Sequence, residues 1–364
     1  MDAGSEKVWP GAPNVKDILF GNFKVGRGHR PFIIAEMSGN HNQSLERALQ
    51  ITEAAAKNGA HALKIQTYTA DTLTLDVEEK EFFISDPNSL WKGNSLHKLY
   101  EKAHTPWEWH APIMKRANEL GMSCFSTPFD ESAVDFLESL DTPFYKIASF
   151  ENNHLPLIRK VARTGKPVII STGMASLADL EDAVGAMRSE GNDQIVLLKC
   201  TSTYPATAEN TNIRTIPHLR ELFKCQVGLS DHTMGIGVAV ASVALGATVI
   251  EKHFTISRAD GGVDSTFSME PHELAALVIE TERAAQCLGE VKYGATQAEE
   301  KSMQFRRSLY IAKDMKAGEV FTPENLRIVR PGFGLAPKFF DLFIGKKITQ
   351  AAKKGTPISW NLIG

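Results

Sequence analysis

A chain of 364 residues is longer than one ordinary core requires and points to about two domains. Its 43% hydrophobic and 23% charged residues are those of a globular protein, and a net charge of −3 excludes a broad basic field for nucleic acid or anionic membrane. No run approaches the roughly 20 apolar residues of a membrane span, and residues 1–14 show no apolar core behind a basic start, so no signal peptide is expected and the cytoplasm is the expected compartment.

Short apolar runs alternate with amphipathic stretches from residue 32 onward. The first run, 32–37, is followed by LERALQITEAAAKNG, a helical pattern opening near Ser44 and stopped by Gly59. The run 62–67 leads into an unusually long connection from Asp71 to about His97, which holds Phe82, Phe83 and Trp91 and reads as a lid or specificity loop. Then come 123–128, 144–149 and 167–172, the helical ADLEDAVGAMRSEG ending at Gly191, and the runs 195–201, 225–230 and 248–254. Eight β–α repeats with nearly continuous apolar strands predict a closed parallel (β/α)₈ TIM barrel, which takes about 250 residues. A last long helix over 271–288 completes a domain of residues 1–290. The polar, helix-poor segment 291–304 reads as a linker. The pieces SLYIA, GEVFT, LRIVR and GKKIT, separated by Gly and Pro turns, predict a small β-rich domain over 305–364.

The runs share one further property: they end in polar residues, as in AEMSGNHN, KIQTYT, FSTPFD, YKIASF, ISTGM, KCTSTYP, GLSDHT and EKHFT. Barrel active sites are assembled from strand C-termini, so these endings predict a ring of site residues. The four cysteines, Cys124, Cys200, Cys225 and Cys287, have no C-x-x-C spacing and read as reduced thiols, with a zinc or disulfide role as the alternative.

His232 and His253 close the seventh and eighth runs, which are neighbours in a barrel, so two imidazoles are placed to converge on one ion with open positions left over. Imidazole with oxygen ligands suits Mn²⁺, with Mg²⁺, Co²⁺ and Zn²⁺ remaining open. The plain alternative is local packing in the barrel rim. Lys64 and Lys146 lie inside strands, where an unpaired ammonium is costly. A bound phosphate or carboxylate, a Schiff-base role, or pairing with barrel carboxylates would each account for them. Ser126, Thr127, Ser149, Ser171, Thr172 and Ser230 stand at nearby strand ends as donors. Glu36 is placed either to orient a water or move a proton, or to satisfy Lys64.

Taken in order, AE-x-x-x-NHN, KIQT, STPFD, YKIAS, STGM, CTSTYP, GLSDHT and EKHFT resemble the sialic-acid synthase family over almost the whole chain. The segment RRSLYIAKDMKAGEVFTPENLRIVRPGFG resembles the antifreeze-like (SAF) domain of those enzymes. WKGNSLHKLYEKAHTPWEWH, SGNHNQSLERAL and GGVDSTFSMEP are most similar to the pseudaminic acid branch, whose substrates are phosphoenolpyruvate and 2,4-diacetamido-2,4,6-trideoxy-L-altrose. Sialic and legionaminic acid synthases are the alternative. The resemblance implies a metal on His232 and His253. It implies phosphoenolpyruvate among Lys64, Thr127, Lys146, Ser149, Ser171 and Ser230, with Glu36 near the reacting carbons. It also implies sugar contacts from Gln66, Tyr204 and Asp264, and from Arg330 reaching across a domain-swapped homodimer. Ser202 stands where relatives often carry Asn.

Overall fold

The computed structural model describes residues 15–87 and 89–364; the segment 1–14, where no signal peptide was expected, lies outside them. The chain divides into one unit up to Glu290 and a second from Val291 on. In the first, a hairpin of β1 (Ile18–Phe20) and β2 (Phe23–Val25) precedes eight parallel strands. These are β3 (Phe32–Glu36), β4 (Ala62–Thr67), β5 (Ser123–Pro128), β6 (Tyr145–Ile147), β7 (Val168–Ser171), β8 (Ile195–Cys200), β9 (Gln226–Ser230) and β10 (Val249–His253). They close into a barrel in which β10 pairs with β3. Each expected run carries one strand; 62–67 and 123–128 match theirs end to end, and the other six are trimmed. The run 144–149 shortens most, because Ser149–Glu151 winds into a 3₁₀ turn.

The helices form where apolar spacing and caps coincide. In helix Leu45–Lys57 the buried Ala48, Ile51, Thr52 and Ala55 follow a 3,4 rhythm, Ser44 accepts from the Arg47 amide at 3.2 Å, and Gly59 exits at φ +89°.

The period-two alternation of each strand sorts its side chains. Ile33, Ala35, Leu63, Ile65, Ile170, Leu197, Leu229 and Ile250 belong to the core between strands and helices. Phe32, Ile34, Ala62, Phe144, Ile169, Val196, Leu198 and Val249 form a second core with Ile18, Phe20 and Val25 of the hairpin. Phe20 stacks on Phe144 at 4.4 Å and meets Phe32 edge-on at 5.3 Å, so the hairpin closes the floor of the barrel. Continuing the inward-facing series upward gives Glu36 after Ile34, Lys64 after Ala62, Lys146 after Phe144, Ser171 after Ile169, and Glu251 and His253 after Val249. Strand packing is tight at Gly228, where a Cβ would lie 2.1 Å from the Val249 carbonyl.

The second unit pairs β11 (Ser308–Ile311) with β12 (Leu326–Val329) over a core of Leu309, Ile311, Met315, Phe321, Phe343, Ile348 and Ile358. Only SLYIA and LRIVR of the four expected β pieces form strands; GEVFT and GKKIT meet in a single bridge, Val320↔Lys347. The segment read as helix-poor needs correction. Gln297–Phe305 is a 3₁₀ helix, started by a capping box in which the Thr296 amide donates to Glu299 at 2.9 Å. Cys124, Cys200 and Cys225 are buried, Cys287 is exposed, and all four are free thiols. No helix among the described residues is long and apolar enough to cross a membrane.

Candidate active site

The centre of the barrel mouth is a buried carboxylate between two buried ammoniums. Glu251 Oε1 lies 3.3 Å from Lys64 Nζ and 3.3 Å from Lys146 Nζ, and accepts from Ser230 Oγ at 3.2 Å. Glu36 Oε2 is 3.1 Å from Lys64 Nζ. Burial alone would raise the Glu251 carboxyl, but Lys146 and Lys64 outweigh it and hold it well below the usual carboxylate range. Glu36 has only Lys64 as a nearby cation, and there burial wins and pushes the carboxyl up. Burial also lowers the Lys146 ammonium, whereas Glu251 and Glu36 more than offset burial at Lys64. Both lysines pair with barrel carboxylates, Lys64 with Glu36 and Glu251 and Lys146 with Glu251. The partner, Glu251, was not foreseen.

The remaining donors surround this cluster. Thr127 Oγ1 is 3.5 Å from Lys64 Nζ, and Ser149 Oγ accepts from the Gly173 amide at 3.1 Å. Ser171 Oγ and Glu251 Oε2 are buried without a hydrogen-bond partner among the described residues. Such orphaned polar atoms at one strand-end ring are what a polar ligand would satisfy. Gly173 keeps the ring open: a Cβ there would lie 2.1 Å from Ser202 Oγ and 2.6 Å from Ser149 Oγ.

His232 and His253 approach with ring centroids 5.4 Å apart. His232 Nδ1 lies 2.9 Å from the Thr201 carbonyl, which can only accept. Nδ1 therefore carries a proton, and Nε2 is the nitrogen left to bind an ion. Burial, reinforced by the charges of His232, Lys64 and Lys146, keeps His253 neutral. Its Nδ1 has no hydrogen-bond partner among the described residues, and Asp264 Oδ2 is 3.6 Å away. At His232, Cys200 and the Thr201 carbonyl outweigh burial and raise the imidazole, so the pair that would hold a divalent ion is a neutral His253 and a His232 oriented through its Nδ1. In the other group of donors among the described residues, Glu270, His272 and Glu273, both carboxylates are already engaged: Glu270 accepts from the Arg258 amide, and Glu273 binds Arg258 and caps the Glu270 amide at 2.8 Å.

Two structural devices hold the pair in place. Lys252, on the opposite face of β10, binds Asp231 Oδ2 and the Thr233 carbonyl, both at 2.7 Å, which fixes the two strand ends against each other. The NHN segment staples the loop after β10. Asn40 donates to the Phe254 carbonyl at 3.0 Å, Asn42 donates to the Gly261 carbonyl at 3.1 Å, and Ser38 donates to Asp264. Gln66 donates to Glu36 at 2.8 Å and Ser38 at 3.3 Å, so it orients the carboxyl. Tyr204 lies against His232 at 4.5 Å. Arg330 follows β12 in the second unit and is exposed.

Sequence reading also missed Glu151, just beyond β6 in YKIASFEN. Burial, only partly offset by Lys146 and Lys64, raises its carboxyl to about 7. A carboxyl standing after a strand end was the available signal. The raised value makes a pH prediction. The native chain keeps a proton that the unfolded chain releases above about 4.5, so stability should fall by roughly 3 kcal/mol as pH rises from about 4.5 to 7. Urea midpoints of wild type and Glu151→Gln across that range test it. The variant should lose this component of the slope, and parallel profiles would refute the assignment.

A closed barrel whose C-terminal mouth gathers buried lysines, carboxylates and imidazoles defines a (β/α)₈-barrel enzyme. Residues 51–293 match the NeuB family and residues 306–363 the SAF domain, and the chain belongs to the NeuB family. It is 45% identical to pseudaminic acid synthase of Campylobacter jejuni over 335 residues, covering 92% of this chain and 96% of that one. The N,N'-diacetyllegionaminic acid synthase of the same species is 35% identical, covering 89% and 98%. Among solved structures, N-acetylneuraminic acid synthetase from Leptospira borgpetersenii superposes with a TM-score of 0.71 at 32% identity, covering 80% of this chain and 96% of that one.

Proposed function

We propose that this chain is a pseudaminic acid synthase, a transferase that joins phosphoenolpyruvate to 2,4-diacetamido-2,4,6-trideoxy-L-altrose and releases phosphate. The observation that carries the sugar assignment is the 45% identity to the pseudaminic enzyme of Campylobacter jejuni against 35% to its legionaminic enzyme. The anionic co-substrate is supported by two buried ammoniums that share one carboxylate, with Ser171 Oγ unsatisfied beside them.

In this reading Lys64 and Lys146 hold the phosphate and carboxylate of phosphoenolpyruvate, with Thr127, Ser149, Ser171 and Ser230 as further donors. Fixing two reactants in register is the main contribution, worth about 7–11 kcal/mol in favourable cases. The methylene carbon forms the new bond to the aldehyde carbon, and the aldehyde oxygen takes a proton. Water oriented by Glu36 adds to the electron-poor C2, and the tetrahedral carbon then expels phosphate by C–O cleavage. Glu36 is suited to this because its raised pKa lets it accept a proton and release it again. A divalent ion on His232 and His253, Mn²⁺ first and Mg²⁺ or Co²⁺ next, would supply Lewis acidity toward the aldehyde oxygen. Gln66, Tyr204 and Asp264 face the sugar. Arg330 reaches the sugar from the partner chain of a domain-swapped homodimer, and the enzyme works in the cytoplasm.

Phosphate release measured with a panel of sugars tests the assignment. The 2,4-diacetamido-2,4,6-trideoxyhexose should give the fastest turnover, and faster release with N-acetylmannosamine would replace the sugar. With bridging ¹⁸O in phosphoenolpyruvate, the label should depart with phosphate; its retention in the sugar acid would sink the C–O cleavage scheme.

A further inference from the structure

The long connection between β4 and β5 folds back on itself and delivers one aromatic ring to the mouth. Ile84 is bonded across its turn to two residues: its amide donates to Asn94 O and its carbonyl accepts from the Gly93 amide, both at 3.0 Å. Trp91 extends from that turn, and its indole N–H donates to the Val263 carbonyl at 3.0 Å. Val263 immediately precedes Asp264, the carboxylate beside Ser38 and His253. The indole ring lies 5.9 Å from Tyr204. Tyr204 in turn lies 5.3 Å from Phe267, and Phe267 lies 4.9 Å from His253. The rings thus form a continuous wall: Tyr204 and Phe267 flank the imidazoles, and Trp91 stands one ring further out.

We infer that Trp91 is the specificity-determining residue for the far half of the acceptor sugar, reading its methyl groups through the outer end of this wall. The inference rests on the function proposed above, which puts the aldehyde end at the imidazoles. The acetamido group at C2, next to the aldehyde carbon, then lies against Tyr204 and Phe267. The C4 acetamido group and C6 extend outward to Trp91. The indole N–H is already committed to Val263, so the ring offers its apolar face and no further donor. A face of that kind favours the methyls of a 4-acetamido-6-deoxy sugar over the hydroxyls that N-acetylmannosamine carries at the same carbons. Burial of two methyl-sized groups predicts a preference of about tenfold from this contact alone.

The test compares kcat/KM for the diacetamido-trideoxy sugar and for N-acetylmannosamine in wild type, Trp91→Phe and Trp91→Ala, with the KM for phosphoenolpyruvate as a control. Trp91→Ala should lower the ratio of the two sugars about tenfold and leave the phosphoenolpyruvate KM within about twofold. Trp91→Phe, which keeps a ring and loses the Val263 bond, should retain most of the ratio. An unchanged ratio in Trp91→Ala overturns the inference, as does an equal fall with both sugars, which would make Trp91 a loop anchor only. A wild-type enzyme that prefers N-acetylmannosamine would overturn the proposed function itself, so the two failures are distinguishable.

Discussion

Replacing Glu251 by glutamine is expected to destabilise the ligand-free protein by about 3–5 kcal/mol at pH 7, the usual cost of stranding a buried charge. The case is unusual because one carboxylate serves two ammoniums, each 3.3 Å away and each almost wholly buried. Glutamine preserves the shape and the bond from Ser230 but removes the charge. The lysines of the variant then favour the neutral amine in the native state more than in the unfolded chain. The unfolded chain binds more protons, so the stability deficit should shrink as pH rises toward 10. Inorganic phosphate or phosphoenolpyruvate should raise the melting temperature of the variant more than that of wild type, because the anion replaces the missing charge. Urea unfolding at two pH values and melting curves with phosphate measure both effects. A Glu251→Gln protein as stable as wild type at pH 7 would show that the lysines do not depend on this carboxylate.

Removal of the metal is expected to have the larger effect on turnover. Chelation should abolish phosphate release and Mn²⁺ should restore it, whereas a His232→Ala/His253→Ala double variant should stay at least about 10³-fold impaired whatever ion is added. The physical basis is the protonation state of the two rings: the Thr201 carbonyl fixes a proton of His232 on Nδ1, and burial keeps His253 neutral. His253 can therefore offer a lone pair directly, whereas His232, which Cys200 raises, gives up its Nε2 proton to the ion. Full activity in metal-free enzyme, or wild-type rates in a correctly folded double variant, would exclude the metal role.

The barrel was legible in the sequence because each strand is an almost unbroken apolar run with a polar ending, and because a period of two leaves little choice about which residues face inward. Glu36, Lys64 and His253 fall on inward positions for that reason. The pairing of the inward groups was not legible. Lys146 and Glu251 are 105 residues apart on strands that do not touch, and they meet only because a closed barrel brings opposite walls within reach of long side chains. Lys252 stands between Glu251 and His253 in the chain, yet alternation turns it to the outer face, where it binds Asp231 and ties strand ends together. The 3₁₀ helix after Thr296 had its T-x-x-E signal in plain view and was outweighed by the polar composition of the segment.

The hairpin floor has a kinetic corollary. With Phe20 wedged against Phe32 and Phe144, the barrel is closed at its floor, and a substrate must enter and leave by its mouth. Glu251 sits two residues below His253 on the same strand, about 7 Å further in. Under the proposed chemistry, phosphoenolpyruvate has to settle at that depth before the sugar takes its place above it. Phosphate formed at the bottom can leave only after the sugar acid clears the mouth, so traffic through this enzyme runs first in, last out.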